Sequence, residues 1–505
     1  MRLRVLLTTA ALLGTLCSAC SSDKSCVTRT FATIANGYAR AGQIDQALDV
    51  AQGIDNASVK ADVLSTLALR YTKIHQQDKA IASLNQALQV ADKIDSPDDR
   101  AIALEGIARK YGQVGQKYKA AQVLSQALQV AQTIDETFAK DTVVERIAVG
   151  YSVIGYDDQG IQIAEGIWNN IPKGRALNRI VVEYVAAGNY HQAREVADLI
   201  EATTSQANAL IEIAAKTGEY EQAFSAAKKI ENEASEQKIG VLNKLFKLYL
   251  KAGQKQQAAE VLSQAVQVVK LIKDTDRQAA RMANIALSYT KLEQKELAAK
   301  VFAQALQIAN TIEETDKKSV TLAELAVNYA QAGQSDRATS VFTQALQMAR
   351  TIENPEKKYR TLAELAIRFA NIKPYDQVLH LTQTIGNADT QVYALLEIAD
   401  DYIEAGQNAQ AAQALTQAFE IVHSLENINA RSQQLATIAQ QLARIAQYDR
   451  AIAIAQTISA TEANSPKAST LATIAGSLAK VGQNEKAIAL LSQALKIAKA
   501  TKCFN

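Results

Sequence analysis

The chain has 505 residues, 54 Lys and Arg against 52 Asp and Glu, 48% hydrophobic but only 5% aromatic residues, and four cysteines. A length that ordinarily divides into about three domains of roughly 150 residues comes with no Pro, Gly or Ser-rich linker, so one continuous architecture is expected. The balance of charge excludes the basic surface that nucleic-acid phosphates demand, and the four cysteines, Cys17, Cys20 and Cys26 near the start and Cys503 near the end, offer no disulfide framework or paired-cysteine metal site.

The first twenty residues, MRLRVLLTTAALLGTLCSAC, carry Arg2 and Arg4, an apolar run from Val5 to Leu16 and a small-residue exit at Ser18 and Ala19. This is the pattern of an export signal over residues 1–19. The run is too short to span a bilayer and no later stretch reaches eighteen apolar residues, so no transmembrane helix is expected in the mature chain. The ending LCSAC resembles the bacterial lipoprotein box, which implies lipidation of Cys20, a short linker over 20–27 and a lipid-anchored protein of the cell envelope. Cys17 stands where that box ordinarily has Leu, and plain cleavage after Ala19 is the alternative. Without residues 1–19 the chain holds 52 charges of each sign, which also argues against a polybasic membrane patch.

From residue 28 onward the chain repeats itself. The phrase SQALQVAQTID at Ser125 returns as NQALQVADKID at Asn85, SQAVQVVKLIK at Ser263, AQALQIANTIE at Ala303 and TQALQMARTIE at Thr343. Aligned on a short turn, the units place Gly42, His75, Gly115, Gly155, Gly188, Gly218, Gly253, Glu293, Gly333, Lys373, Gly406, Ala446 and Gly482 in register, at intervals mostly of 33 or 40 residues. Such a period is the signature of a solenoid.

Before each turn one apolar stripe recurs, as Leu104, Ile107 and Tyr111 do before Gly115, and defines a helix A. After it, Ala120, Leu124, Ala127, Ala131 and Ile134 define a helix B, with Gln122 off the stripe. Glycine suits a left-handed C-cap between them, whereas His75, Glu293, Lys373 and Ala446 must bear strain there or use another turn. Ser96, Asn354 and Ser465 read as N-caps before a Pro at the first helical position; Pro172 reads as the end of the fourth unit and Pro374 as part of a turn. The intervals of 40 and 33 differ by seven residues, two helical turns, which returns the stripe to nearly the same face.

These units resemble the tetratricopeptide repeat over residues 28–502. The resemblance rests on the pairs Ile34-Ala35, Ile107-Ala108 and Leu325-Ala326, on Tyr38, Tyr71, Tyr111, Tyr151, Tyr184, Tyr249, Tyr289, Tyr329 and Tyr402, and on small residues in helix B such as Ala47, Ala120, Ala258 and Ala338. The period is longer than the family's 34 residues, Leu or Phe replaces the early Trp, and the closing Pro is missing. The resemblance implies an all-α solenoid, a right-handed superhelix of about thirteen helical hairpins, acting as a non-enzymatic scaffold that holds an extended peptide or partner protein in its concave groove. The alternative is a structural, self-associating envelope component whose groove is empty.

No residues read as catalytic, metal-binding or cofactor-binding. The histidines His75, His191, His380 and His423 fall at unrelated phases, and no phosphate loop or hydrolase motif occurs. Asp98-Asp99 and Asp157-Asp158 read as complements to helix dipoles. Trp168, the one tryptophan, reads as the end of a helix B beside NNIPKG, with a core or loop-packing role or, as the alternative, a ligand contact. Repeats five to seven depart from rule, with Val181, Ile211 and Phe246 in place of the small alanine and Ala214 in place of the tyrosine. The A helices of repeats four to seven carry the candidate partner site. Arg175 and Arg179 share a helix face and resemble the basic pair of carboxylate-clamp tetratricopeptide domains, and Arg146, Asn178, Asn208, Asn243 and Lys244 extend the strip of donors. Glu324, Glu364 and Glu397 occupy the Arg179 phase in later repeats. Finally, stacking thirteen hairpins about 8 to 10 Å per helix layer is expected to hold Cys26 and Cys503 too far apart for a disulfide.

Overall fold

The computed structural model describes residues 24–370, 375–459 and 466–502. Residues 1–19, Cys20, Lys373, Pro374, Ser465 and Cys503 lie outside that range. The described residues form α-helices in alternation, with one 3-10 turn at Asn232–Ala234 and no strand. Two compact units divide them. The first unit holds α1 (Lys24–Arg40), α2 (Ile44–Gln52), α3 (Ala57–Lys73), α4 (Gln77–Ala91) and α5 (Pro97–Gln113). The second unit begins with α6 (Lys117–Ala131), α7 (Thr137–Val153), α8 (Asp157–Glu165), α9 (Asn170–Ala186), α10 (Tyr190–Asp198), α11 (Thr203–Thr217) and α12 (Tyr220–Lys229). It continues with α13 (Ser235–Lys251), α14 (Lys255–Val269), α15 (Thr275–Lys291), α16 (Lys295–Asn310), α17 (Thr315–Gln331), α18 (Ser335–Arg350) and α19 (Pro355–Ala370). The chain then returns to the first unit with α20 (Tyr375–Gln383), α21 (Ala388–Glu404), α22 (Asn408–Val422), α23 (Ile428–Arg444), α24 (Tyr448–Thr457), α25 (Lys467–Lys480) and α26 (Asn484–Lys502). Odd-numbered helices are A helices and even-numbered ones are B helices. The fold is an all-α solenoid.

The turn register read from the sequence is visible in the backbone. Gly42, Gly115, Gly155, Gly188, Gly218, Gly253, Gly333, Gly406 and Gly482 all have φ between 74° and 86°. His75, Glu293 and Ala446 adopt the same left-handed conformation at φ 60°, 63° and 62°, accepting the crowding of Cβ against the next carbonyl. At the opposite ends of the hairpins, Asn56, Ser96, Asn387 and Asn427 cap the following A helices by accepting a backbone N–H three residues on, and Asn354 does so for Lys357 at 3.0 Å. Two proline readings need correction. Pro172 lies inside the first turn of α9 and is buried, so it opens a helix rather than closing the fourth unit. Pro466 stands before Lys467, the first residue of α25, rather than within it.

Helix length follows the interval between turns. B helices α2, α8, α10 and α20 have 9 residues, whereas α4, α6, α14 and α22 have 15. Leu104, Ile107, Tyr111, Ala120, Leu124, Ala127 and Ala131 are at most 3% exposed, while Gln122 is exposed. Within each unit most successive A helices pack side by side, and each B helix packs on its own A helix and on the next one; α13 and α15 are joined instead by the ion pair of Glu236 with Arg281 at 2.9 Å. One further device holds seven of the B-to-A corners among the described residues. Fifteen residues before the left-handed residue stands a long donor that reaches back to the carbonyls ending the preceding B helix. Lys60 bonds Gln52 O at 2.8 Å, Lys140 bonds Gln132 O at 3.1 Å, and Lys318 and Lys467 bond Asn310 O and Gln456 O at 2.6 Å. Lys238, Gln278 and Arg431 do the same at Ile230, Val269 and Leu425. Each donor satisfies a carbonyl that the helix end leaves open.

In several repeats the tyrosine of helix A ties the hairpin to its predecessor. Tyr71 Oη donates to Asp45 and Tyr111 Oη to Asn85, both at 2.7 Å and both on the preceding B helix. Tyr38, on the first helix, finds its partner at the other end of the chain: its hydroxyl lies 3.1 Å from Ser492 Oγ. Ser492 opens SQALKI as Asn85 opens NQALQV, so α26 stands toward α1 as a preceding B helix would. In the first unit α1 packs on both α25 and α26, with Gly37 against Leu491 and Gly476 against Arg40. The expectation that the two ends stand far apart is thus overturned. The apolar flank that an end hairpin would leave exposed is covered by the opposite end. Cys503 lies outside the described residues, so the disulfide expectation has no structural account.

Candidate functional site

In the second unit, α9 exposes one stripe formed by Ile171, Arg175, Arg179 and Val182, and buries its other faces. Periods of three and four residues along a helix place these side chains in line. Arg175, however, is not free to take a partner with its whole guanidinium. Its Nε and Nη2 donate to Glu145 of α7 at 2.9 and 2.6 Å, and that hydrogen bonding raises the Arg175 pKa above its ordinary value. Glu145 is 12% exposed, so the pair is shielded on its carboxylate side and opposes its desolvation with two charge-assisted bonds. Arg175 is therefore a brace between adjacent A helices, whereas Arg179 is exposed and has no ion pair among the described residues.

Asn178 lies beside Arg179 on α9, and its Oδ1 is buried with no hydrogen-bond partner among the described residues. Asn208 of α11 donates to Thr204 O at 2.8 Å and accepts from Lys244 of α13 at 2.6 Å. The structure thus brings Asn208 and Lys244 together, and Arg175 with Glu145. Arg146 and Asn243 are exposed on α7 and α13. Of the acids read at the Arg179 phase, Glu364 pairs with Arg368 on its own helix at 3.3 Å, Glu324 is half-buried on α17, and Glu397 belongs to the other unit.

Glu145, Asn178, Asn208 and Asn243 all stand ten residues before the left-handed residue of their turn. In α15, α17 and α19 the same position holds Ala283, Ala323 and Ala363, each at most 1% exposed. Within the second unit, a site that holds buried alanine in α15, α17 and α19 is thus occupied by polar side chains in α7, α9, α11 and α13, as it is by buried Ser65 and Glu105 in α3 and α5 of the first unit. The difference is visible in the sequence once the register is known, and reading single residues rather than the whole column missed Glu145.

The remaining sequence candidates have structural accounts. Asp98 and Asp99 lie in the first turn of α5, and the Ser96 hydroxyl beside Asp98 holds its carboxyl below the usual range. Asp157 and Asp158 open α8. The packing role read for Trp168 is corrected: α8 ends at Glu165, and Trp168 lies in the following loop, 83% exposed. Val181, Ile211, Phe246 and Ala214 are all buried. Among the described residues no cluster of three His, Cys, Asp or Glu has a metal-holding arrangement, and no helix is long and apolar enough to cross a membrane.

The tetratricopeptide repeat family matches residues 279–312, which carry most of α15, its turn at Glu293 and α16. No curated protein matches the chain. Among solved structures, Ton1535 from Thermococcus onnurineus NA1 is 15% identical, with 80% of this chain and 97% of that one covered and a TM-score of 0.26. Kinesin light chain TPR-like repeats from Podosopora anserina are 19% identical over 51% of this chain and 98% of that one, with a TM-score of 0.22. Yeast Tom70 is 15% identical over 88% of this chain and 96% of that one, with a TM-score of 0.26.

Proposed function

We propose that the chain is a non-enzymatic scaffold that binds an extended segment of a partner protein on the A helices α7 to α13, and that it does so in the bacterial cell envelope, anchored through a lipid on Cys20. The observation that carries the binding reading is the polar column at Glu145, Asn178, Asn208 and Asn243, where later A helices have buried alanine. Polar groups at a helix-packing position weaken burial, and a segment that supplied a donor to Asn178 Oδ1 would offset that cost. Arg146, Arg179 and Lys244 then face a carboxylate of the partner, while Arg175 holds α7 and α9 in place through Glu145. The envelope address rests on residues 1–20 and their resemblance to lipoprotein signals.

The alternative, a self-associating component, is less favoured because within the first unit α1 and the last hairpin pack on each other. The test is in-cell crosslinking and pull-down with Arg179→Ala/Lys244→Ala. Loss of two charge-assisted bonds of about 1.5 to 3 kcal/mol each is expected to cut capture at least tenfold, more at low than at high salt, with thermal stability nearly unchanged. Undiminished capture overturns the site.

A further inference from the structure

Where the first hairpin meets the last, within the first unit, three helices enclose a cavity of about 430 Å³. Each contributes one face: Phe31 and Tyr38 from α1, Gln46, Asp49 and Val50 from α2 with Gly53 just beyond it, and Leu495 and Lys499 from α26. The opening follows from unequal helix lengths. The 19-residue α26 runs past α2, which has 9 residues and ends at Gln52. Gly53 stands just past the end of α2, and a Cβ there would come within 3.3 Å of Phe31 Cε1, so the missing side chain keeps the ring of Phe31 open to the cavity.

The lining is apolar below and charged at the rim. Phe31, Tyr38 and Val50 are buried and Leu495 half-buried, and the Tyr38 hydroxyl is already engaged by Ser492, so these groups form a floor. Asp49 and Lys499 are exposed on different helices, and neither has an ion pair among the described residues. A volume in the range of small-molecule sites, ~300 to 1,000 Å³, thus carries an unmatched acid, an unmatched base and an apolar floor.

We propose that this cavity binds a small zwitterion with an apolar body, a free amino acid or a dipeptide. Its ammonium meets Asp49, its carboxylate meets Lys499, and its side chain covers Phe31, Val50 and Leu495. The proposal is independent of the partner site on α7 to α13.

Calorimetry on the purified full chain tests it with L-leucine, L-phenylalanine and glycyl-phenylalanine, set against leucinamide and N-acetyl-leucine, which keep the body and lack one charge. The zwitterions are expected to bind at least tenfold more tightly than either single-charge analogue. Lys499→Met is expected to abolish the advantage of leucine over leucinamide, and Asp49→Asn its advantage over N-acetyl-leucine. Gly53→Leu, or Leu495→Trp should the first variant fail to fold, is expected to fill the cavity and remove binding of every probe while the helical signal persists. No heat from any probe at millimolar concentration, equal binding of zwitterions and analogues, or full binding by a folded cavity-filled variant overturns the site.

Discussion

Replacing Gly37 or Gly106 by alanine is one chemical change in one kind of place, the interior of an A helix, yet the two are expected to differ in sign. Alanine gains about 1 kcal/mol over glycine in a helix interior. At Gly106 in α5 a new Cβ meets nothing within 4 Å, so Gly106→Ala is expected to stabilise by about that amount. At Gly37 in α1 the Cβ would lie 2.5 Å from Leu491 Cδ2 and 3.4 Å from its Cδ1, and Leu491 is fully buried on α26. Overpacking of this kind costs about 1 to 3 kcal/mol, which cancels or exceeds the propensity gain. Gly37→Ala is thus expected to destabilise, by up to about 2 kcal/mol net of the propensity gain, and Gly37→Val, with two more methyl groups, is worse. Urea unfolding followed by circular dichroism reads the difference as opposite shifts of the midpoint at unchanged slope. If Gly37→Ala and Gly106→Ala stabilise equally, α1 does not pack on α26 and the meeting of the chain ends is refuted.

Two further outcomes follow from the turns and the tyrosines. Ala446→Gly relieves a left-handed alanine at φ 62° and is expected to stabilise by about 0.5 to 1 kcal/mol after the added freedom of the unfolded chain is subtracted. Gly115→Ala, at φ 86° with open space around it, is expected to destabilise comparably, and urea midpoints shifting in the same direction refute the shared turn conformation. Burial pushes the Tyr111 hydroxyl up to about 12 and raises Tyr71, Tyr151 and Tyr249 as well. Unfolded tyrosine ionises near pH 10, so the stability from these raised groups is complete below pH 10 and is lost as pH rises toward 12, where the unfolded state alone has released its protons. Urea midpoints between pH 9 and 11.5 are expected to fall above pH 10, less steeply in Tyr111→Phe; a flat profile refutes the buried hydroxyls.

The sequence determined the repeat register because each helix end imposes a local demand. Left-handed closure selects glycine, an open N-terminal turn selects Asn or Ser, and amphipathic spacing selects the buried stripe, all within one hairpin. His75, Glu293 and Ala446 were legible as turn residues from their spacing alone, although their identity argued otherwise. The corner donors fifteen residues before many of the turns were equally present in the sequence, as Lys60, Lys140, Lys238 and Lys318 show. Their role was hidden because the acceptor is a backbone carbonyl, which every sequence supplies.

Tertiary structure decided which polar side chains face outward and which brace neighbours. Arg175 and Arg179 share a helix face and look alike in sequence, but only Arg175 finds Glu145, because that choice depends on how α7 and α9 are set against each other. The same holds for the chain ends. Repetition fixed how each hairpin treats its successor, whereas the contact of Tyr38 with Ser492 joins residues 454 apart in sequence within the first unit, a pairing no single repeat encodes. The cavity beside that contact exists because a 9-residue helix and a 19-residue helix, far apart in sequence, were brought together with Gly53 between them.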